Sequence, residues 1–148
     1  MRRTLIRGAR LFDPGAGIDE ADRAVLVEGP HIRSLDADRD VLSDRTVDAE
    51  GLVLCPGFID LRAHLGEPGF TRQEKIATAT AAAAAGGFTT VVAMPTTEPT
   101  IDRVEVVELI LARARAAGRT RVLPAGALSV GRRGESRAER GKLSGAGC

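Results

Sequence analysis

Between Leu52 and Ala125 apolar runs alternate with helical stretches, and this order constrains the fold more than any other feature of the chain. Leu52-Val53-Leu54-Cys55-Pro56-Gly57-Phe58-Ile59-Asp60-Leu61 is almost unbroken in apolar character, as expected of a strand buried on both faces. Thr71 through Ala85 reads as a helix, with Thr71 as its cap, Glu74 three residues on completing a capping box, and Gly86-Gly87 ending it. The small side chains of Ala81 to Ala85 suit close packing against a sheet. A second buried strand is expected over Phe88–Met94 and is stopped by Pro95. A second helix is expected from about Arg103 to Ala117, capped by Asp102 and closed by Gly118, with Val104, Val107, Leu111 and Ala114 on one face. Thr120 to Ala125 makes a third strand. The order β-α-β-α-β implies a parallel α/β sheet with right-handed crossovers.

What precedes Leu52 has a different character. Thr4-Leu5-Ile6, Arg10-Leu11-Phe12, Ala24 to Glu28, His31-Ile32-Arg33 and Thr46-Val47-Asp48 are short extended segments. They are separated by the turn signals Asp13-Pro14-Gly15, Gly29-Pro30 and Glu50-Gly51. Residues 1–53 therefore read as a small antiparallel β module and 54–128 as an α/β unit. Gly131 to Gly147 is rich in Gly, Arg, Ser and Glu without apolar periodicity, so 129–148 is expected to be a flexible tail or truncated loop.

Composition narrows the functional classes. A net charge of +1 gives no general attraction to nucleic acid or to a membrane surface. Four Phe with no Trp or Tyr leave few platforms on which single-stranded bases could stack. Arg132, Arg133, Arg137 and Arg140 are interrupted by Glu135 and Glu139, the mark of a solvated loop. Cys55 and Cys148 have neither metal-ligand spacing nor a disulfide framework, which fits a reducing, cytoplasmic compartment; Cys55 is expected to be an inert core thiol. The polar Met1-Arg2-Arg3-Thr4 start lacks the apolar core of a signal peptide, and no apolar run is long enough to span a bilayer.

Pro56-Gly57-Phe58-Ile59-Asp60-Leu61-Arg62-Ala63-His64-Leu65-Gly66-Glu67-Pro68-Gly69-Phe70-Thr71 resembles the first barrel strand of dihydroorotases in the amidohydrolase superfamily. Ala84 to Pro95 resembles their second strand, and Gly131-Arg132-Arg133-Gly134-Glu135 one of their loops. The resemblance covers essentially the whole chain but only the front part of the family. It implies an N-terminal β-sandwich module followed by the first three βα units of an incomplete TIM (β/α)₈ barrel. A closed barrel needs roughly 250 residues. The chain is thus expected to be a truncated product or to be completed by something else, since a partial barrel exposes sheet edges.

The family's chemistry, as the resemblance implies it, uses zinc held first by a His-x-His pair at the end of that strand. Here the pair reads Arg62-Ala63-His64. A guanidinium has no lone pair to offer a metal. His64 is therefore expected to be a vestigial ligand, hydrogen-bonded near the strand end, and Arg62 to fill the metal position in preference to binding an anion. Asp60 could hold a ligand from behind or pair with Arg62. Gly66 stands where the family has a substrate-gripping arginine; Thr96 and Glu98 stand where it has asparagines. Glu67 is retained, but alone it does no chemistry. His31 is read as a surface residue. No catalytic residue and no cofactor are expected. The first functional reading is a non-catalytic dihydroorotase-like protein of pyrimidine biosynthesis that partners aspartate carbamoyltransferase. The alternative is a zinc-dependent dihydroorotase that interconverts N-carbamoyl-L-aspartate and dihydroorotate.

Overall fold

A computed structural model describes all residues, 1–148. Two strands of eleven residues, β1 (Arg3–Asp13) and β2 (Ile18–Glu28), form an antiparallel pair. Asp13 Oδ1 accepts the Gly15 amide at 2.9 Å, which sets the turn that Asp-Pro-Gly announces. β3 (His31–Ser34) lies antiparallel to β2, whereas β4 (Arg45–Asp48) and β5 (Val53–Leu54) both run parallel to β1. The expected antiparallel module is thus a mixed, five-stranded sheet of order β3-β2-β1-β4, with β5 also on β1. The parallel pairings arise because the chain returns to β1 through a long connection rather than a hairpin. Leu5, Ala9, Leu11, Ala24, Val25, Leu26 and Ala49 are the buried apolar residues of this unit, Met1–Pro56. Gly8, at φ +81°, lies against the Glu50 backbone, where any side chain would crowd it.

The apolar run from Leu52 does not form one strand. Pro56 lacks an amide donor, and Cys55-Pro56-Gly57 breaks the run into β5 and β6 (Phe58–Ala63). The second unit, Gly57–Cys148, begins there. In it β6, β7 (Phe88–Ala93) and β8 (Arg121–Pro124) form a parallel sheet in that order. The helices α1 (Ile76–Ala85) and α2 (Val104–Ala117) connect them in sequence. The alternation read from the sequence is present. Its first strand, however, is not buried on both faces: Phe58, Ile59 and Leu61 are more than half exposed, because β6 is an edge of the sheet.

The core of this unit joins Val91, Ala93 and Val122 of the sheet to Ile76, Val106, Val107, Ile110 and Ala114 of the helices. The buried stripe on α2 is offset from the expected one, since Val104 and Leu111 are only half-buried. Helix α1 starts five residues later than expected, with Lys75 rather than Thr71 as its N-cap. Glu74 still serves its start, but from the preceding position: its carboxylate accepts the Lys75 amide at 2.9 Å and the Thr78 hydroxyl. At α2 the N-cap is Arg103, and Asp102 does not cap the helix through its side chain.

The stretch expected to be a flexible tail is structured. Ser129 and Arg137 form a β-bridge, Val130–Arg132 makes a 3₁₀ turn, and α3 (Arg140–Gly145) follows. Ala138 and Leu143 are buried in the core, two anchors too widely spaced to register as a periodic pattern.

Candidate functional site

The ends of β6 and β7 and the loops that follow them enclose a cleft of about 260 Å³ lined by His64, Gly66, Phe70, Glu74, Met94 and Thr96, among others. His64 follows β6 directly. Its Nδ1 lies 2.8 Å from Thr96 Oγ1, in the loop after β7. Two positions singled out in the sequence, thirty-two residues apart, are therefore in contact. Gly66 also lines the cleft, but Arg62 and Glu98 do not.

Arg62 is exposed, and its guanidinium makes neither an ion pair nor a hydrogen bond. It does not fill the cleft as expected. The reading that pairs Asp60 with the Arg62 side chain does not hold: Asp60 Oδ1 accepts the Arg62 backbone amide at 2.8 Å. His31 opens β3 and is exposed, as read from the sequence. Cys55 is half-buried between two strands rather than inside one.

Gly66 has φ +70°, and a Cβ there would overlap the Glu74 carbonyl group. The loop backbone thus occupies the space through which a side chain at this position would leave. The Gly66 carbonyl accepts the Phe70 amide at 2.7 Å and closes the turn over Glu67-Pro68-Gly69. Glu74 is held below the usual carboxylate range, first by the Thr78 hydroxyl and then by the Lys75 amide.

Glu67 has a definite structural role. Its side chain is only 12% exposed; Oε2 accepts the Ile76 amide at 2.9 Å and Oε1 pairs with Arg113 Nη1 at 2.9 Å. One carboxylate thus places negative charge at the start of α1 and ties it to α2. The sequence could not show this, because Arg113 is distant and its helical position carries no motif. Asp102 is likewise a clamp. Its Oδ2 accepts the Gly131 amide at 2.7 Å and its Oδ1 takes Arg103 Nε at 3.1 Å. Burial alone would raise the Asp102 carboxyl; the Gly131 amide and the Arg103 guanidinium together outweigh it and hold the group below its ordinary value.

A zinc ion takes three or four protein ligands. No three His, Cys, Asp or Glu side chains converge anywhere in this chain. Of the His, Cys, Asp and Glu side chains only His64 and Glu74 line the cleft, the Glu74 carboxylate is engaged by the Lys75 amide and the Thr78 hydroxyl, and Arg62, outside the cleft, offers a cation in place of a lone pair. The residues of this chain do not by themselves fit the metal that the resemblance implies.

The family model for dihydro-orotase-like proteins matches residues 51–148. A dihydroorotase of Anaeromyxobacter sp. (strain K) is 46% identical over 143 residues, covering 97% of this chain and 33% of that protein. A dihydroorotase of Aquifex aeolicus is 40% identical over 148 residues, covering 100% of this chain and 35% of the relative. Among solved structures, the L-hydantoinase (dihydropyrimidinase) of Arthrobacter aurescens matches with a TM-score of 0.70 at 24% identity, covering 87% of this chain and 28% of that one. The D-hydantoinase (dihydropyrimidinase) of Thermus sp. matches with a TM-score of 0.63 at 22% identity, covering 85% and 28%. These likenesses show a mixed α/β fold shared with amidohydrolases. The chain belongs to the dihydroorotase-like family. It spans about a third of the length of the curated relatives it matches. No helix is long and apolar enough to cross a membrane.

Proposed function

We propose that this chain is a dihydroorotase-like protein of pyrimidine biosynthesis that hydrolyses nothing by itself and serves, in the cytoplasm, as a structural partner of aspartate carbamoyltransferase. Its three parallel strands correspond, on this reading, to the first three βα units of a (β/α)₈ barrel, and the N-terminal sheet to the small β module that precedes it. The observation that carries the reading is Arg62 in the first position of the His-x-His pair. Gly66, whose loop has no room for a side chain, supports it from the substrate side.

A second reading, a zinc-dependent dihydroorotase that interconverts N-carbamoyl-L-aspartate and dihydroorotate, is favoured by identities of 40% and more to proteins of that name. It needs ligands from residues beyond this chain. Co-expression of the chain with aspartate carbamoyltransferase from the same source, followed by size-exclusion chromatography and metal analysis, separates the two. Co-elution in a stoichiometric, zinc-free complex supports the structural partner. Separate elution overturns it, and zinc bound stoichiometrically to the chain returns the enzyme reading.

A further inference from the structure

Strands β7 and β8 are hydrogen-bonded neighbours, and the loops that follow them bound a second cavity, of about 460 Å³. The loop leading into α2 forms one wall with Thr100, Asp102 and Arg103; the turn at Val130–Arg132 and the residues after it form the other, with Arg132 and Arg133. Both walls come from adjacent strands of this chain. On the barrel reading proposed above, further strands add outside this pair and not between its loops.

Donors here outnumber their partners. The Asp102 side chain is 3% exposed and holds both walls at once, taking Arg103 Nε on Oδ1 at 3.1 Å and the Gly131 amide on Oδ2 at 2.7 Å. Because Arg103 is gripped through Nε, its two terminal nitrogens stay free. Gly131 opens the turn that carries Arg132 and Arg133; both are exposed, and neither guanidinium has an ion pair. Thr100 is only 7% exposed, yet its hydroxyl makes no hydrogen bond and is not sealed from the cavity it lines. A nearly buried hydroxyl without a partner marks a place where one is missing.

We propose that this cavity binds one phosphate group, free or at the end of a small molecule. The terminal nitrogens of Arg103, the guanidinium groups of Arg132 and Arg133 and the Thr100 hydroxyl offer more donors than the two oxygens of a carboxylate accept. A phosphate monoester brings three terminal oxygens and up to two negative charges. Glu98 and Glu135 border the cavity too and pair with none of these arginines. They repel a run of phosphates, which favours a compact ligand over nucleic acid. The volume is that of a small-molecule pocket. Asp102 is a positioning residue: it fixes Arg103 and the start of the Arg132–Arg133 turn before a ligand arrives, which lowers the cost of ordering them.

Titration of the 148-residue chain with inorganic phosphate and with phenyl phosphate, followed in ¹⁵N–¹H spectra at constant ionic strength, tests this. No other protein is present, so the outcome is separate from any role with aspartate carbamoyltransferase. Saturable, one-site shifts of the Gly131, Arg132 and Gly134 amides are expected, while amides of the α2 core stay in place. Saturation by both ligands supports a monoester; saturation by inorganic phosphate alone supports the free ion. Thr100→Val keeps every charge and should weaken phosphate about threefold. Arg133→Gln, at an exposed position, should weaken it about threefold as well. Acetate saturating the same amides as tightly as phosphate overturns the proposal. So does a drift that sodium chloride reproduces at equal ionic strength, the mark of an adventitious ion only, and so does undiminished binding in the Thr100→Val, Arg133→Gln double variant.

Discussion

His64 Nδ1 and Thr96 Oγ1 lie 2.8 Å apart, so the end of β6 is tied through side chains to the loop after β7. Thr96→Val removes the only side-chain partner of the His64 ring and leaves the volume nearly unchanged. The ¹⁵N resonance of Nδ1 should move toward that of a free, tautomer-averaged imidazole, with a stability loss of no more than about 1 kcal/mol because the pair is exposed. An unchanged Nδ1 resonance would show that the contact does not orient the ring.

Glu67 is the polar residue whose loss should matter most to the second unit. Glu67→Gln removes the charge facing the Ile76 amide and unpairs Arg113, and should cost about 1–3 kcal/mol in urea unfolding. Arg113→Ala should cost less, since Arg113 is 43% exposed and Glu67 keeps its helix contact. Equal losses in the two variants would mean that the ion pair, not the helix contact, carries the effect.

Gly66→Arg places a side chain at a position that has no room for one. The overlap with the Glu74 carbonyl and the left-handed backbone should together destabilise the chain by about 2 kcal/mol or more. Arg62→His alone should give no turnover of dihydroorotate in a spectrophotometric assay, because Gly66 is unchanged and no further ligands converge. Measurable turnover in the Arg62→His variant would refute the reading of the site as inactive.

Asp102 predicts a pH dependence with a definite sign. Its carboxyl is depressed in the folded chain. The stabilisation it contributes is therefore fully present above the unfolded value of about 3.9 and is lost as pH falls below that, through the folded value. Amide exchange at Gly131 should accelerate over that acid window relative to exchange in the α2 core. In Asp102→Asn the acid-dependent step should vanish, with Gly131 less protected already at neutral pH.

The alternation of strand and helix was legible because the elements announce themselves locally: a β-branched run for β7, an alanine-rich stretch for α1, and glycines at the C-terminal ends of α1 and α2. The edge position of β6 did not follow from its own residues, because an apolar run looks the same whether or not a neighbouring strand covers it; only the partial barrel implied by the resemblance pointed to exposed sheet edges. Nor did the division of that run at Pro56 between two sheets. Sequence placed His64, Gly66 and Thr96 at one site, and all three line the cleft. Arg62 illustrates the opposite case: strand alternation placed it beside His64, but a long charged side chain can reach solvent, and it does. The order in 129–148 carries no local sequence signal, because it rests on two buried side chains, Ala138 and Leu143, and on the distant carboxylate of Asp102.

The close approach of Gly66 to Glu74 also limits which sequences are reachable from this one. An arginine at position 66 is tolerable only after the backbone between Phe70 and Glu74 has moved, and such a shift gives no benefit while the position is still glycine. The two changes are therefore conditional on one another, and only one order of substitution avoids an unstable intermediate.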